Sequence, residues 1–96
     1  MANATLTERL AEYWSPAAFE ALPVDVVGAA KRFLLDTLAV GIAGAGAPES
    51  RAVLSAAREL VEGASGSASI WGTPHSLPAA QAALCNGTAA HALAGC

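Results

Sequence analysis

The 96-residue sequence predicts an all-α fold of three to four helices with at most one short strand. Three observations predict it. The run from Pro23 to Ala43 repeats apolar residues at three- and four-residue spacing, the period of an amphipathic helix. Helix-start signals recur at Thr5–Glu8, at Pro48 and at Ser76–Pro78. Glycine- and proline-containing turns at 44–48 and 72–74 punctuate the chain between them.

The first helix starts at Thr5-Leu-Thr-Glu8, which has the spacing of a capping box. Leu6, Leu10, Tyr13 and Trp14 then mark one face, and Ser15-Pro16 ends it or starts a new turn. Ala17 to Leu22 reads as a connector, with Phe19 and Leu22 as core plugs.

The long helix from Pro23 to Ala43 is the element the others are expected to pack against. Val26, Val27, Ala30, Phe33, Leu34, Leu38 and Ile42 share its apolar face. Pro23 suits the first turn, where its missing N–H costs nothing, and Asp25 suits the positive end of the helix dipole. Arg32 and Asp36 are four apart and can pair. Gly44 and Gly46 can end the helix in a left-handed conformation.

A third helix is expected from Pro48 to about Glu62, with Val53, Ala57 and Leu60 on one face and Gly63 as terminator. Ala64 to Ser69 is small and polar, the one linker-like segment. Ser69-Ile-Trp71 suits a short strand or an extended crossing, and Gly72-Thr-Pro74 turns out of it. Ser76 can cap a fourth helix running through Ala79 to about Leu93, with Pro78 in its first turn.

Composition sets limits. Apolar residues make up 54% of the chain, much of it alanine, which favours helices but buries little area. A small alanine-rich domain is hard to stabilise alone, so a piece of something larger is expected. The net charge is −3, and Arg9, Lys31, Arg32, Arg51 and Arg58 form no dense patch, which argues against nucleic acid as partner. No segment reads as a signal peptide or an uncharged membrane span. On a continuous helix Cys85 and Cys96 would sit about 16 Å apart, beyond disulfide reach. Two free thiols point to a reducing, cytoplasmic setting.

After Glu62 the chain has no Asp, Glu, Lys or Arg. A helix apolar all round is normally buried, so this third is expected to lie inside a larger structure or against a partner.

Searches for chemistry mostly fail. Gly44-x-Gly46 lacks the third glycine of a dinucleotide loop and follows a helix, not a strand. Gly63-x-Ser65-x-Ser67 lacks the closing glycine of a nucleophile elbow. No Cys/His spacing suits zinc. The sequons at Asn3 and Asn86 read as accidental without a secretory signal.

His91 is the candidate for chemistry, on a helix face with Leu84, Gly87 and Thr88. A histidine beside small residues can reach a bound anion or move a proton. The commoner arrangement is a core histidine bonded to a backbone carbonyl or to Thr88. His75, in a turn, is expected to be solvated. Cys85 is expected to be a small buried apolar residue, since no nearby charge would lower its pKa.

Two blocks carry a family resemblance. Leu22-Pro23, followed by Ala30-Lys-Arg-Phe-Leu-Leu-Asp-Thr-Leu38 and Gly41, resembles the opening signature of the MmgE/PrpD family. Ser69-Ile-Trp-Gly72 and Asn86-Gly-Thr-Ala-Ala-His-Ala-Leu93 resemble its second block in order and spacing. The family includes 2-methylcitrate dehydratase, cis-aconitate decarboxylase and iminodisuccinate epimerase. The resemblance covers the chain from about Leu6, so residues 1–96 are expected to be the opening part of that family's helical domain.

The resemblance implies a cofactor-independent enzyme, with no metal, acting on small di- or tricarboxylic acids and forming a homodimer. It places Asn86, Thr88 and His91 beside substrate and assigns no catalytic residue. In the family the His-Ala-Leu step continues into an Asp-(Phe/Tyr)-Asp-Asp-Thr segment. Here Ala94, Gly95 and Cys96 stand instead. The expectation is a truncated or frameshifted fragment of such a lyase, inactive alone. The alternative is a non-catalytic helical module that buries its uncharged last helix against a partner.

Overall fold

The computed structural model describes residues 3–62 and 66–93. They divide into two compact units, Met1–Arg32 and Phe33–Cys96, and the long second helix belongs to both.

In the first unit, helix α1 (Leu6–Trp14) starts on the expected capping box. The Thr5 hydroxyl oxygen accepts from the Glu8 N–H at 3.2 Å, and Glu8 Oε2 accepts from the Thr5 N–H at 2.7 Å. Two helix-terminal donors are thereby satisfied without tertiary help. These bonds favour the charged carboxylate and hold the Glu8 pKa below its ordinary value of 4.5. A group with a lowered folded pKa stabilises above its unfolded pKa and ceases to do so as pH falls through the folded one. Acidification below about 4.5 is therefore expected to fray the first turn of α1, and the Glu8 amide resonance should report it.

A single 3-10 turn at Phe19–Ala21 follows. Phe19 and Leu22 are exposed there, not the core plugs expected. No described residue of this unit is buried, so nothing in it covers them. Tyr13 and Trp14 pack edge to face with ring centroids 5.0 Å apart.

Helix α2 (Val24–Gly44) has the predicted extent. Its expected apolar face does not form the core. Phe33 is 72% exposed and Leu34 61%, and Val26 and Ile42 are also open. The buried residues of α2 are Gly41 and Gly44. Within the second unit the end of the helix therefore meets its neighbours through its backbone, at positions where a missing side chain permits close approach. Neither Gly44 nor Gly46 has a left-handed φ; among described glycines only Gly72 does. Arg32 reaches back one turn, with its Nη1 3.5 Å from where a Gly28 Cβ would stand, rather than forward toward Asp36. Helical side chains lean toward the N-terminus, which favours that direction.

The second unit holds the core. Helix α3 (Pro48–Leu60) buries Ser50 and Ala57. Helix α4 (Ala79–Ala92) buries Ala82, Cys85 and Ala89. Small residues on both let the two helices pack closely. Ile70 and Leu77 complete the core, with Val53, Leu54, Val61 and Ala68 packed against it. Leu60, expected on the inner face of α3, is 77% exposed; Leu54 and Val61 occupy that side instead. The Gly44 carbonyl at the end of α2 accepts from the Ser50 hydroxyl at 2.7 Å and from the Ala47 N–H at 3.1 Å. Glu62 takes the left-handed φ of 50° just after α3; the expected terminator, Gly63, lies outside the described residues.

Between the helices stands a hairpin. Strand β1 (Ala68–Ser69) pairs antiparallel with β2 (Ser76–Leu77), Ala68 opposite Leu77 and Ser69 opposite Ser76. The all-α character holds, but the one expected strand has a partner. Ser76 lies in that partner and does not cap α4, whose N-cap is Pro78. The turn at Ile70-Trp-Gly-Thr73 closes with Thr73 N–H donating to the Ile70 carbonyl at 3.2 Å. Its third residue, Gly72, has φ 72°, the conformation a type II turn needs there.

Candidate functional site

Helix α4 has two sides. Ala82, Cys85, Asn86 and Ala89 recur at three and four residues and face the hairpin and α3. Leu84, Gly87, Thr88 and His91 lie on the other side, as the spacing predicts. Leu84, Gly87 and His91 are exposed and Thr88 is half-buried. A Cβ built on Gly87 would meet no described atom within 4 Å.

Thr88 donates its hydroxyl proton to the Leu84 carbonyl at 2.8 Å, one turn back. His91 sits in the last turn of α4. It is exposed, so the core-histidine arrangement does not apply. Thr88 and His91 are three apart on one face and can contact a common ligand.

Asn86 behaves differently. Its Nδ2 donates to the Ser69 carbonyl at 3.0 Å, and its Oδ1 accepts from the Trp71 backbone N–H at 2.9 Å. Both ends of its carboxamide are engaged by the protein itself. Of the three residues expected beside substrate, the fold brings Thr88 and His91 to one open face and turns Asn86 the other way.

Trp71 is a residue that spacing did not single out. Its ring lies over Gly41, where an added Cβ would be 2.9 Å from Cζ3. The Gly41-x-x-Gly44 spacing, one helical turn, was the available signal for a close backbone contact. Cys85 is only 3% exposed, and burial raises its thiol pKa, so it is the inert core residue expected. His75 is half-buried in the hairpin turn, not fully solvated; its N–H donates to Thr73 Oγ1 at 3.1 Å and its carbonyl accepts from the Ile70 N–H. Among the described residues no three His, Cys, Asp or Glu side chains are grouped to hold a metal ion. Among them also, no helix is long and apolar enough to cross a membrane. A groove of the first unit, of about 380 Å³, is lined mainly by apolar side chains including Trp14, Leu22 and Val26.

No curated protein and no solved structure matches the chain. The family description "MmgE/PrpD N-terminal domain" matches residues 8–94, which runs from within α1 through α4 and includes both blocks of the resemblance. The chain therefore belongs to the MmgE/PrpD family, through its N-terminal domain.

Proposed function

We propose that this chain supplies the opening part of the helical domain of a cofactor-independent lyase or isomerase. Its substrates are small di- or tricarboxylic acids, as in 2-methylcitrate dehydratase. It works in the cytoplasm as part of a homodimer, and Thr88 and His91 face the substrate. The observation that carries this reading is the open face of α4. Thr88 and His91 stand there together with Gly87 beside them, while the opposite side of the same helix is packed. A carboxylate accepts hydrogen bonds: an imidazole N–H of His91 can donate to it, and the Thr88 hydroxyl can do so by rotating away from the Leu84 carbonyl.

Proton abstraction next to a carboxylate needs a donor and an acceptor within reach of one substrate. His91 is one such group, and no carboxylate shares its helix. The chain by itself is inactive on this reading. The test is to incubate the pure chain with 2-methylcitrate and with cis-aconitate and follow loss of water or carbon dioxide. No turnover is expected, and turnover would overturn the inactivity. Citrate, as a non-reacting probe at millimolar concentration, should shift the Thr88 and His91 resonances. Unmoved resonances would sink the substrate-facing assignment.

Gly87 sharpens the test. Alanine fits there without a clash, and a mid-helix glycine costs up to about 1 kcal/mol relative to alanine. Gly87→Ala is thus expected to raise stability by about 0.5–1 kcal/mol in urea unfolding while weakening the citrate-induced shifts.

The helical interaction module has one observation in its favour: Leu84, Leu93, Leu60 and Leu35 are all exposed. Sedimentation decides. A discrete oligomer supports a module, and aggregation supports a piece of a larger domain.

A further inference from the structure

We infer that Asn86 is a positioning residue that docks α4 on the open edge of the hairpin, and is not a substrate ligand. The inference deepens the reading above and rests on it for the identity of the open face.

The backbone geometry carries it. In an extended segment, successive residues point their N–H and C=O groups to opposite sides. Ile70 faces the hairpin partner: its N–H donates to the His75 carbonyl at 3.0 Å and its carbonyl accepts from Thr73. The flanking Ser69 carbonyl and Trp71 N–H point the other way, to the edge where a third strand would pair. No described strand lies there, since the sheet has two strands. The Asn86 carboxamide fills that place. It presents one donor and one acceptor, as a peptide group does, and satisfies both edge groups at 3.0 and 2.9 Å.

Two bonds from one side chain fix the rotation of α4 about its axis. Asn86 toward the hairpin leaves Thr88 and His91, about 200° and 140° further round at 100° per residue, on the far side. The same bonds hold Trp71, whose ring covers Gly41. Asn86 thereby links the hairpin, α4 and the end of α2 within the second unit.

Asn86→Asp separates this role from a merely space-filling one. A carboxylate can accept from the Trp71 N–H but cannot donate to the Ser69 carbonyl. A protonated carboxyl restores one donor and one acceptor in nearly the same shape. Facing a carbonyl oxygen also raises the pKa of the new acid. The readout is protection of the Trp71 amide against hydrogen exchange, normalised to the intrinsic rate at each pH. In the native chain it is expected to be protected at about pH 7 and about pH 4. In Asn86→Asp, protection should fall at least about tenfold at the higher pH and recover to within about twofold of the native chain at the lower. If the variant unfolds at neutral pH, refolding on acidification, seen by circular dichroism, carries the same meaning.

An unprotected Trp71 amide in the native chain overturns the inference. So does a variant as protected as the native chain at neutral pH, or one that does not recover in acid. Citrate added to the native chain distinguishes the two readings. Shifts at Thr88 and His91 without a shift of the Asn86 carboxamide support both. No shift at all, with the Trp71 result intact, removes the substrate reading and leaves the positioning role. A dominant shift at the Asn86 carboxamide makes it a ligand and overturns the inference.

Discussion

Replacing Gly44 by alanine is expected to destabilise the second unit by about 3 kcal/mol or more. A Cβ at that position would overlap the Ala89 carbonyl oxygen and stand 3.0 Å from its carbon. The obstacle is backbone in the last turn of α4, so it cannot swing away as a side-chain tip could. Relief would require α2 and α4 to separate. That would disturb the Ser50 hydrogen bond to the Gly44 carbonyl as well. A unit of this size holds only about 3–10 kcal/mol in total, so a loss of about 3 kcal/mol removes roughly a third of its stability at the upper end of that range and all of it at the lower. Urea denaturation followed by circular dichroism measures it. The partner residue supplies a control: Ala89→Gly removes a methyl but leaves the carbonyl, and should give Gly44→Ala no relief. A Gly44→Ala chain as stable as the native one would mean the helices do not touch there.

Gly41→Ala is expected to cost about 1–3 kcal/mol, for a different reason. Here the obstacle is a side chain, the Trp71 ring, with Cζ3 2.9 Å from the added Cβ. Removing the ring should reverse the sign. In a Trp71→Leu background the same substitution meets open space, and the helix gains about 1 kcal/mol from exchanging glycine for alanine. Trp71→Leu will itself lower stability, so the informative quantity is the coupling from the four-member cycle. A coupling of about 2 kcal/mol or more is expected at Gly41–Trp71, against none at Gly44–Ala89. Equal effects of Gly41→Ala with and without the indole would place Trp71 away from the helix.

The two glycines show why the packing was not legible where the helix was. Periodicity located α2 to within a residue at each end, because apolar spacing and terminal proline and glycine signals are local. The same periodicity assigned the wrong face to the core. Hydropathy ranks Phe33, Leu34 and Ile42 as inward-facing, yet the contact is made by Gly41 and Gly44, residues with no side chain to bury. Close backbone approach carries no hydropathy signal.

The open face of α4 was legible from spacing. Thr88 and His91 needed only the 3.6-residue period to be placed together. Asn86 did not follow. Its partners are 17 and 15 residues back, in a hairpin whose second strand the sequence did not predict. A two-residue strand has too little length to show alternation, and Ser76 could equally have been a helix cap.

The sequence by itself determined the helices, their local starts and the family. Each rests on neighbours within a few residues: the Thr5–Glu8 box, the Pro48 start, the apolar period of α2 and the Asn86–Leu93 motif. Tertiary structure alone decided which residues those helices press together and which way Asn86 turns. Such choices depend on backbone surfaces and edge hydrogen bonds between segments far apart in the chain, where residue type states what a group can do but not what it meets.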